Sequence, residues 1–156
     1  MSETQQGRRD RLKEYGADEV FNPIEENVEE AVKDLTEGVG ADIAIDCTGS
    51  QGGINDCFHV LRNRGMYVQS GLAVGKIEVE PWEWALKDLN MCGLWCYNTY
   101  DFPKVINVIA NGSVPVEKVV TRTISLDEIV EEGFEVLSFD KEGKELKIQV
   151  VVSDSK

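Results

Sequence analysis

The chain is short of the residue types from which most enzyme chemistry is built. Its one histidine, His59, lies in "GINDCFHVLRNRG" with no second histidine or carboxylate cluster near it, and reads as a surface or hydrogen-bonded helix residue rather than a catalytic base. The four cysteines, Cys47, Cys57, Cys92 and Cys96, sit in hydrophobic segments without a CxxC pair, which points to buried reduced thiols and away from a zinc cluster. No apolar run approaches the ~20 residues of a membrane span, and the opening "MSETQQGRRDR" has no apolar signal-peptide core, so a cytoplasmic protein without a membrane partner is expected. Basic residues are scarce as well: 16 Lys and Arg stand against 29 Asp and Glu, a net charge of -13. Nucleic acid, which is bound by neutralising phosphates, is excluded as a partner; an acidic surface also suits a high-salt habitat.

What is present is a globular composition, 42% hydrophobic and 29% charged over 156 residues. "RRDRLKEY" reads as a helix stopped by Gly16, and a short strand is expected at Glu19 to Phe21. Asn27 and Glu30 have the spacing of a capping box, opening a helix that should run to Gly38. A strand follows at Asp42 to Asp46, then a helix from about Gly53 to Asn63, then the buried strand of "GMYVQSG". This alternation implies an α/β fold with a parallel sheet and crossover helices. Further on, "KIEVEP" reads as an edge strand, "NMCGLWCY" as a buried one, and "DFPKVINVIANG" as a helix capped by Asp101. Val119 to Ile124 is extended, Ser125 and Glu128 form a second capping box, and "KELKIQVVV" is a closing strand.

The strand "ADIAID" ends in Cys47-Thr48-Gly49-Ser50. In open parallel sheets ligands lie outside the carboxyl ends of the strands, where small residues let a ligand approach the backbone. The plainer reading is a βα turn in which glycine supplies an awkward backbone angle. The order of elements is also unusual, because a doubly wound sheet should open with a strand feeding a glycine-rich turn, and here a helix comes first.

Taken together, "SETQQGRRDRLKEYGADEVFNP", "GVGADIAIDCTGS", "LRNRGMYVQSGL" and "ANGSVPVEKVVTRTISLDEIVEEGFEVLSFDKEGKELKIQVVV" resemble the C-terminal part of the medium-chain, zinc-type alcohol and polyol dehydrogenases, the sorbitol, butanediol and threonine dehydrogenase branch. The resemblance implies an incomplete doubly wound, Rossmann-like parallel sheet. It divides the chain into residues 1–99, a partial NAD-binding domain lacking its first strand and helix, and 100–156, a segment returning to a missing GroES-like catalytic domain. It places Glu3, thirteen positions before Gly16, at the adenosine ribose hydroxyls, where a carboxylate favours NAD and repels the 2′-phosphate of NADP. Arg8 falls near the same ribose; with Arg9 it could instead hold a 2′-phosphate. Thr48 and Gly49 would flank the adenine side, Ser70, Gly71 and Leu72 the nicotinamide end, Cys96 and Tyr97 the carboxamide, and Lys147 the pyrophosphate.

The family's catalytic zinc ligands, its proton relay and the GxGxxG turn have no match in this sequence. The resemblance therefore implies a cofactor-binding portion, inactive alone, with zinc expected only in a missing N-terminal domain. Its partners would be a nicotinamide cofactor and either a catalytic domain or another copy in a homo-oligomer. A non-catalytic assembly module, pairing through Ile77 to Val79 and Met91 to Trp95, is the alternative. A methyltransferase-like α/β domain is a third, opposed by the segment after Tyr100. Val105, Ile109, Phe134 and Leu137 are expected to lack a covering surface, and Trp82, Trp84, Trp95, Tyr97 and Tyr100 to serve packing or interfaces more than a substrate box.

Overall fold

The computed structural model describes residues 1–152. In chain order the helices and strands are α1 (Gln6–Leu12), α2 (Val28–Leu35), β1 (Ala41–Asp46), α3 (Gln51–Val60), β2 (Leu61–Gln69), α4 (Pro81–Lys87), β3 (Asn90–Gly93), α5 (Asp101–Ala110), β4 (Val120–Ser125), α6 (Val136–Phe139) and β5 (Lys147–Val151). They form two compact units, one of Glu25–Tyr97 and one of Met1–Ile24 together with the chain from Asn98 onward. Every strand pairing in both is parallel, in the orders β1-β2-β3 and β4-β5, so the α/β alternation expected from the sequence is present.

The unit Glu25–Tyr97 holds most of the buried apolar side chains. Ile54, Phe58 and Val60 of α3 pack on Ala44, Tyr67 and Val68 of the sheet, each large side chain contributing about 1.5–3 kcal/mol. Phe58 is the hub: its ring centroid lies 4.4 Å from that of Tyr67 and 5.4 Å from that of Trp84 on α4. α3 ends at Val60, short of the expected Asn63, because Lys87 Nζ donates to the carbonyls of Phe58 and His59 (2.7 and 3.0 Å) and the chain then turns directly into β2. α2 starts as expected, with the Asn27 side chain accepting the Glu30 N–H at 3.2 Å. It stops at Leu35 rather than Gly38, where the Thr36 hydroxyl turns back to the Val32 carbonyl and Glu37 and Gly38 take positive φ.

Several expectations do not hold. "KIEVEP" is not a strand: no strand of this unit runs beside it, and Pro81 instead opens α4, a helix the alternating pattern concealed. Its backbone finds a substitute neighbour in the Gln51 amide, which donates to the Glu78 carbonyl (2.7 Å) and accepts the Glu78 N–H (2.8 Å). Ala44 and Asp46 of β1 lie on the face that α3 packs against and are buried, while Ile43 and Ile45, on the opposite face, are 59% and 57% exposed. "NMCGLWCY" shrinks to β3, Asn90–Gly93, exposed throughout. Cys47, Cys92 and Cys96 are exposed and only Cys57 is half-buried, since the first three lie in β3 or beyond strand ends; all four thiols are free.

In the other unit, Gly16 with φ 98° ends a 3-10 turn (Lys13–Tyr15) that continues α1. The expected strand at Glu19 to Phe21 is reduced to a single parallel bridge between Ser2 and Phe21. Tyr100, not Asp101, is the cap position of α5; the Asp101 carboxylate instead accepts the Asn98 N–H at 3.0 Å. The capping box at Ser125 forms, the Glu128 carboxylate taking the Ser125 N–H and hydroxyl at 2.8 and 2.7 Å. A π-helical turn, Ile129–Glu135, then leads into α6, and its buried Gly133 lies against Ile124. Val105, Ile109, Phe134 and Leu137 are all exposed.

Candidate functional site

The register of the three-stranded sheet aligns its strand ends. Asp46 of β1 stands opposite Gln69 of β2, and Gln69 stands opposite Gly93 of β3. The loops Cys47–Ser50, Ser70–Ala73 and the segment from Leu94 therefore leave the same carboxyl edge. This brings together Thr48, Gly49, Ser70, Gly71 and Leu72, and it sets Cys96, exposed and with φ 52°, beyond the third strand.

The first two loops touch. A Cβ added to Gly71 would lie 2.6 Å from the Thr48 nitrogen and closer still to that of Gly49, and one added to Gly49 would lie 2.5 Å from the Leu72 carbonyl carbon. The small residues at these strand ends are thus demanded by loop-to-loop packing, a reason the sequence alone did not supply. Gly49 carries a second constraint, φ 65°.

Asp46, which sequence reasoning missed, organises both loops. It is 2% exposed and the only charged side chain among the described residues that is buried. Its Oδ1 accepts the Thr48 N–H (3.1 Å) and hydroxyl (2.7 Å), and its Oδ2 accepts the Gly49 N–H (2.8 Å) and the Gln69 amide (2.6 Å). Its carbonyl takes the N–H groups of Ser70 and Gly71 at 2.9 and 2.8 Å. Burial pushes its carboxyl upward, but the Thr48 hydroxyl and the Gly49, Thr48 and Gln69 donors outweigh it and hold the group below its ordinary value. The signal that could have found it was an acidic residue closing an apolar strand, since a charge there demands donors. Gln69 also donates to the Gly71 carbonyl (2.7 Å) and accepts the Tyr67 hydroxyl, whose pKa is pushed up to about 12 by burial and by Asp46.

This wiring limits what the edge can bind. The N–H groups of Thr48, Gly49, Ser70 and Gly71 are all spent on Asp46, so the loops form no anion-binding nest. They can offer hydroxyl and carbonyl oxygens, which suit ligands bearing hydroxyl or amide donors.

The remaining candidates lie in the other unit. Glu3 Oε1 accepts the Gln5 N–H (2.8 Å) and the Thr4 hydroxyl (3.3 Å), and Glu3 Oε2 lies 4.0 Å from Arg8 Nη1. Arg9 is spent on the carbonyls of Glu3 and Thr4 and on the Gln6 side chain. Lys147 opens β5 and is exposed. No group of three or more His, Cys, Asp or Glu placed to hold a metal occurs among the described residues, so these residues do not fit the zinc of the resembling enzymes. His59 stands 3.8 Å from Glu83 on the surface. None of the described helices is long and apolar enough to cross a membrane.

A parallel sheet with touching small-residue loops at its carboxyl edge defines an open α/β protein of the class that places ligands beyond its strand ends. The sequence profile of the zinc-binding dehydrogenases matches residues 1–111, and the chain belongs to that family. It is 32% identical over 154 residues to D-xylulose reductase A of Aspergillus oryzae, covering 96% of this chain and 42% of that protein. Among solved structures it is similar to 2R,3R-butanediol dehydrogenase from Bacillus subtilis, with TM-score 0.88, 26% identity, and 97% and 43% of the two chains covered. It is also similar to a zinc-binding dehydrogenase from Sinorhizobium meliloti bound to NADP, with TM-score 0.81, 25% identity, and 97% and 44% covered. The chain thus spans about two-fifths of the length of these relatives, and it is similar to the cofactor-binding C-terminal part of zinc-type polyol and alcohol dehydrogenases.

Proposed function

We propose that this chain is the nicotinamide-cofactor-binding portion of a zinc-type dehydrogenase that exchanges hydride between a secondary alcohol or polyol and NAD, and that it is inactive without a catalytic domain. The joined loops at the carboxyl edge of β1 and β2 carry the reading: Thr48 and Gly49 flank the adenine side and Ser70, Gly71 and Leu72 the nicotinamide end, with Cys96 a second backbone contact to the carboxamide. The oxygens these loops present suit the donors of a ribose and a carboxamide, and the family resemblance assigns Lys147 to the pyrophosphate. The Glu3 carboxylate, whose Oε2 stands 4.0 Å from Arg8 Nη1, is the group that takes the ribose hydroxyls under this reading. NAD is favoured over NADP because Arg9 is already committed and Arg8 faces the Glu3 carboxylate, leaving no uncommitted pair of guanidinium groups for a 2′-phosphate. Zinc, Lewis acid for the alcohol oxygen, would belong to the catalytic domain. The reading also places the protein in the cytoplasm.

The test is a titration with NADH, followed by tryptophan emission and energy transfer to the nicotinamide, with NADPH as the control. Saturable binding that favours NADH and weakens in Glu3→Ala is expected; no binding up to millimolar NADH would refute the reading. A second reading, an assembly module, is favoured by one observation: Met91, Leu94 and Trp95 are exposed, and Met91 lines one cavity with Ile77 and Val79, a segment that belongs to no strand. Under that reading the chain self-associates and NADH leaves its association unchanged.

A further inference from the structure

The wiring around Asp46 is divided between the two loops. Its carboxylate serves the first, taking three donors from Thr48 and Gly49, and reaches the second only through Gln69. A carboxylate is an acceptor only, so the Gln69 amide must point its nitrogen at Asp46; the same nitrogen reaches the Gly71 carbonyl, and the amide oxygen is left for the Tyr67 hydroxyl. We propose that Asp46 and Gln69 are a positioning pair, Asp46 holding the loop Cys47–Ser50 and Gln69 holding the loop Ser70–Ala73 in the arrangement the cofactor requires. The inference rests on the reading that these loops meet the cofactor.

Asp46 is not replaceable by its nearest isostere. An asparagine at position 46 has one acceptor oxygen for donors that approach both carboxylate oxygens. Turned one way, its amide faces the Thr48 N–H and hydroxyl; turned the other, it faces the Gly49 N–H and either repels the Gln69 amide or forces it to rotate away from Gly71. Each arrangement frees part of the first loop. A leucine at position 69 leaves the bonds from Thr48 and Gly49 to the Asp46 carboxylate in place; it removes the amide's bonds to the Asp46 carboxylate, the Gly71 carbonyl and the Tyr67 hydroxyl, so that of the two loops only the second loses a tie.

The two variants therefore separate the two ends of the ligand. ADP-ribose, which lacks the nicotinamide, is compared with NADH on the unaltered chain, Asp46→Asn and Gln69→Leu, by calorimetry, with circular dichroism to confirm folding. Asp46→Asn is expected to weaken both ligands about tenfold, the worth of one or two charge-assisted hydrogen bonds. Gln69→Leu is expected to weaken NADH by about tenfold while ADP-ribose stays within about twofold. A general loosening of the unit would weaken both ligands equally in both variants, and that result, or unchanged affinities, overturns the positioning role while leaving the cofactor reading standing. If Asp46→Asn fails to fold, the NADH against ADP-ribose comparison in Gln69→Leu decides alone. If the unaltered chain binds neither ligand, the cofactor reading falls and this inference falls with it.

Discussion

Replacing Gly71 by alanine isolates the contact between the two strand-end loops. Gly71 is not among the residues with positive φ, so the substitution carries no backbone penalty and its whole effect is steric. The new methyl carbon would stand 2.6 Å from the Thr48 nitrogen and 2.7 Å from the Cys47 carbonyl carbon, where ordinary contact begins at 3.4 Å. Those neighbours are backbone and cannot rotate away, so the loops must part by about 1 Å. The Ser70 and Gly71 N–H bonds to the Asp46 carbonyl, now 2.9 and 2.8 Å, would stretch beyond hydrogen-bonding range. Two such bonds at about 1 kcal/mol each, with an overpacking cost of about 1–3 kcal/mol, predict a loss near 4 kcal/mol. Urea unfolding followed by far-UV circular dichroism measures it. Gly52→Ala is the internal control: it lies in α3 with nothing within 4 Å, and alanine there should stabilise the helix by about 0.5–1 kcal/mol. If Gly71→Ala unfolds at the same midpoint as the unaltered chain, the loops are not in the contact described and the account of their glycines fails.

Asp46 also predicts a pH dependence. Its folded value lies below the ordinary 3.8, so its contribution to stability is complete above that pH and is lost as pH falls through the folded value; Asp46→Asn should flatten this acid limb in a denaturation series from pH 7 to 2.5. In the other unit, Arg122 bridges Glu132 at 2.5 Å and Glu145 at 2.8 Å, and the Glu145 side chain is 12% exposed. Arg122→Met leaves that carboxylate with the Thr121 side chain but no cation and should cost about 2 kcal/mol by urea titration, less than for a fully buried pair because Arg122 is itself 37% exposed; a cost under about 0.5 kcal/mol would show the bridge to be a surface pair. Threonine at both Ile43 and Ile45 keeps strand propensity while removing the exposed apolar face of edge strand β1. Sedimentation velocity should show less self-association for that double variant, and an unchanged concentration dependence would place association elsewhere.

The parts of the fold written locally were legible in the sequence. Asn27 and Ser125 announced their helix starts because a cap is satisfied within three residues, and Gly16 marked a helix end because a positive φ is a local demand. The expectations that failed depended on distant neighbours. "KIEVEP" alternates as a strand does, yet alternation records only which faces are apolar; without a strand beside it the segment joins no sheet, and Glu78 is tied to a glutamine 27 positions away. Ile43 and Ile45 look like core and lie exposed because burial needs a second layer, and none of the described residues of their unit supplies one over that face.

The site shows the same division at finer scale. Thr48, Gly49, Ser70 and Gly71 could be singled out as small residues at strand ends, and the natural inference was that they make room for a ligand. The geometry gives them a prior duty, since Gly49 and Gly71 are small so that one loop can lie on the other, and only the outer faces of the loops remain for binding. The residue that joins them was hidden because an aspartate closing "ADIAID" looks like the start of a polar turn. Its side chain points inward, and in a protein of net charge -13 a further acidic residue attracts no notice. A buried carboxylate is tolerated only where its donors are fixed in advance, so the donors that keep Asp46 charged also fix the loops on which any ligand at this edge must close. Binding and local stability at this edge should therefore fail together when Asp46 is altered and separate when Gln69 is, since Gln69 ties down only one of the two loops.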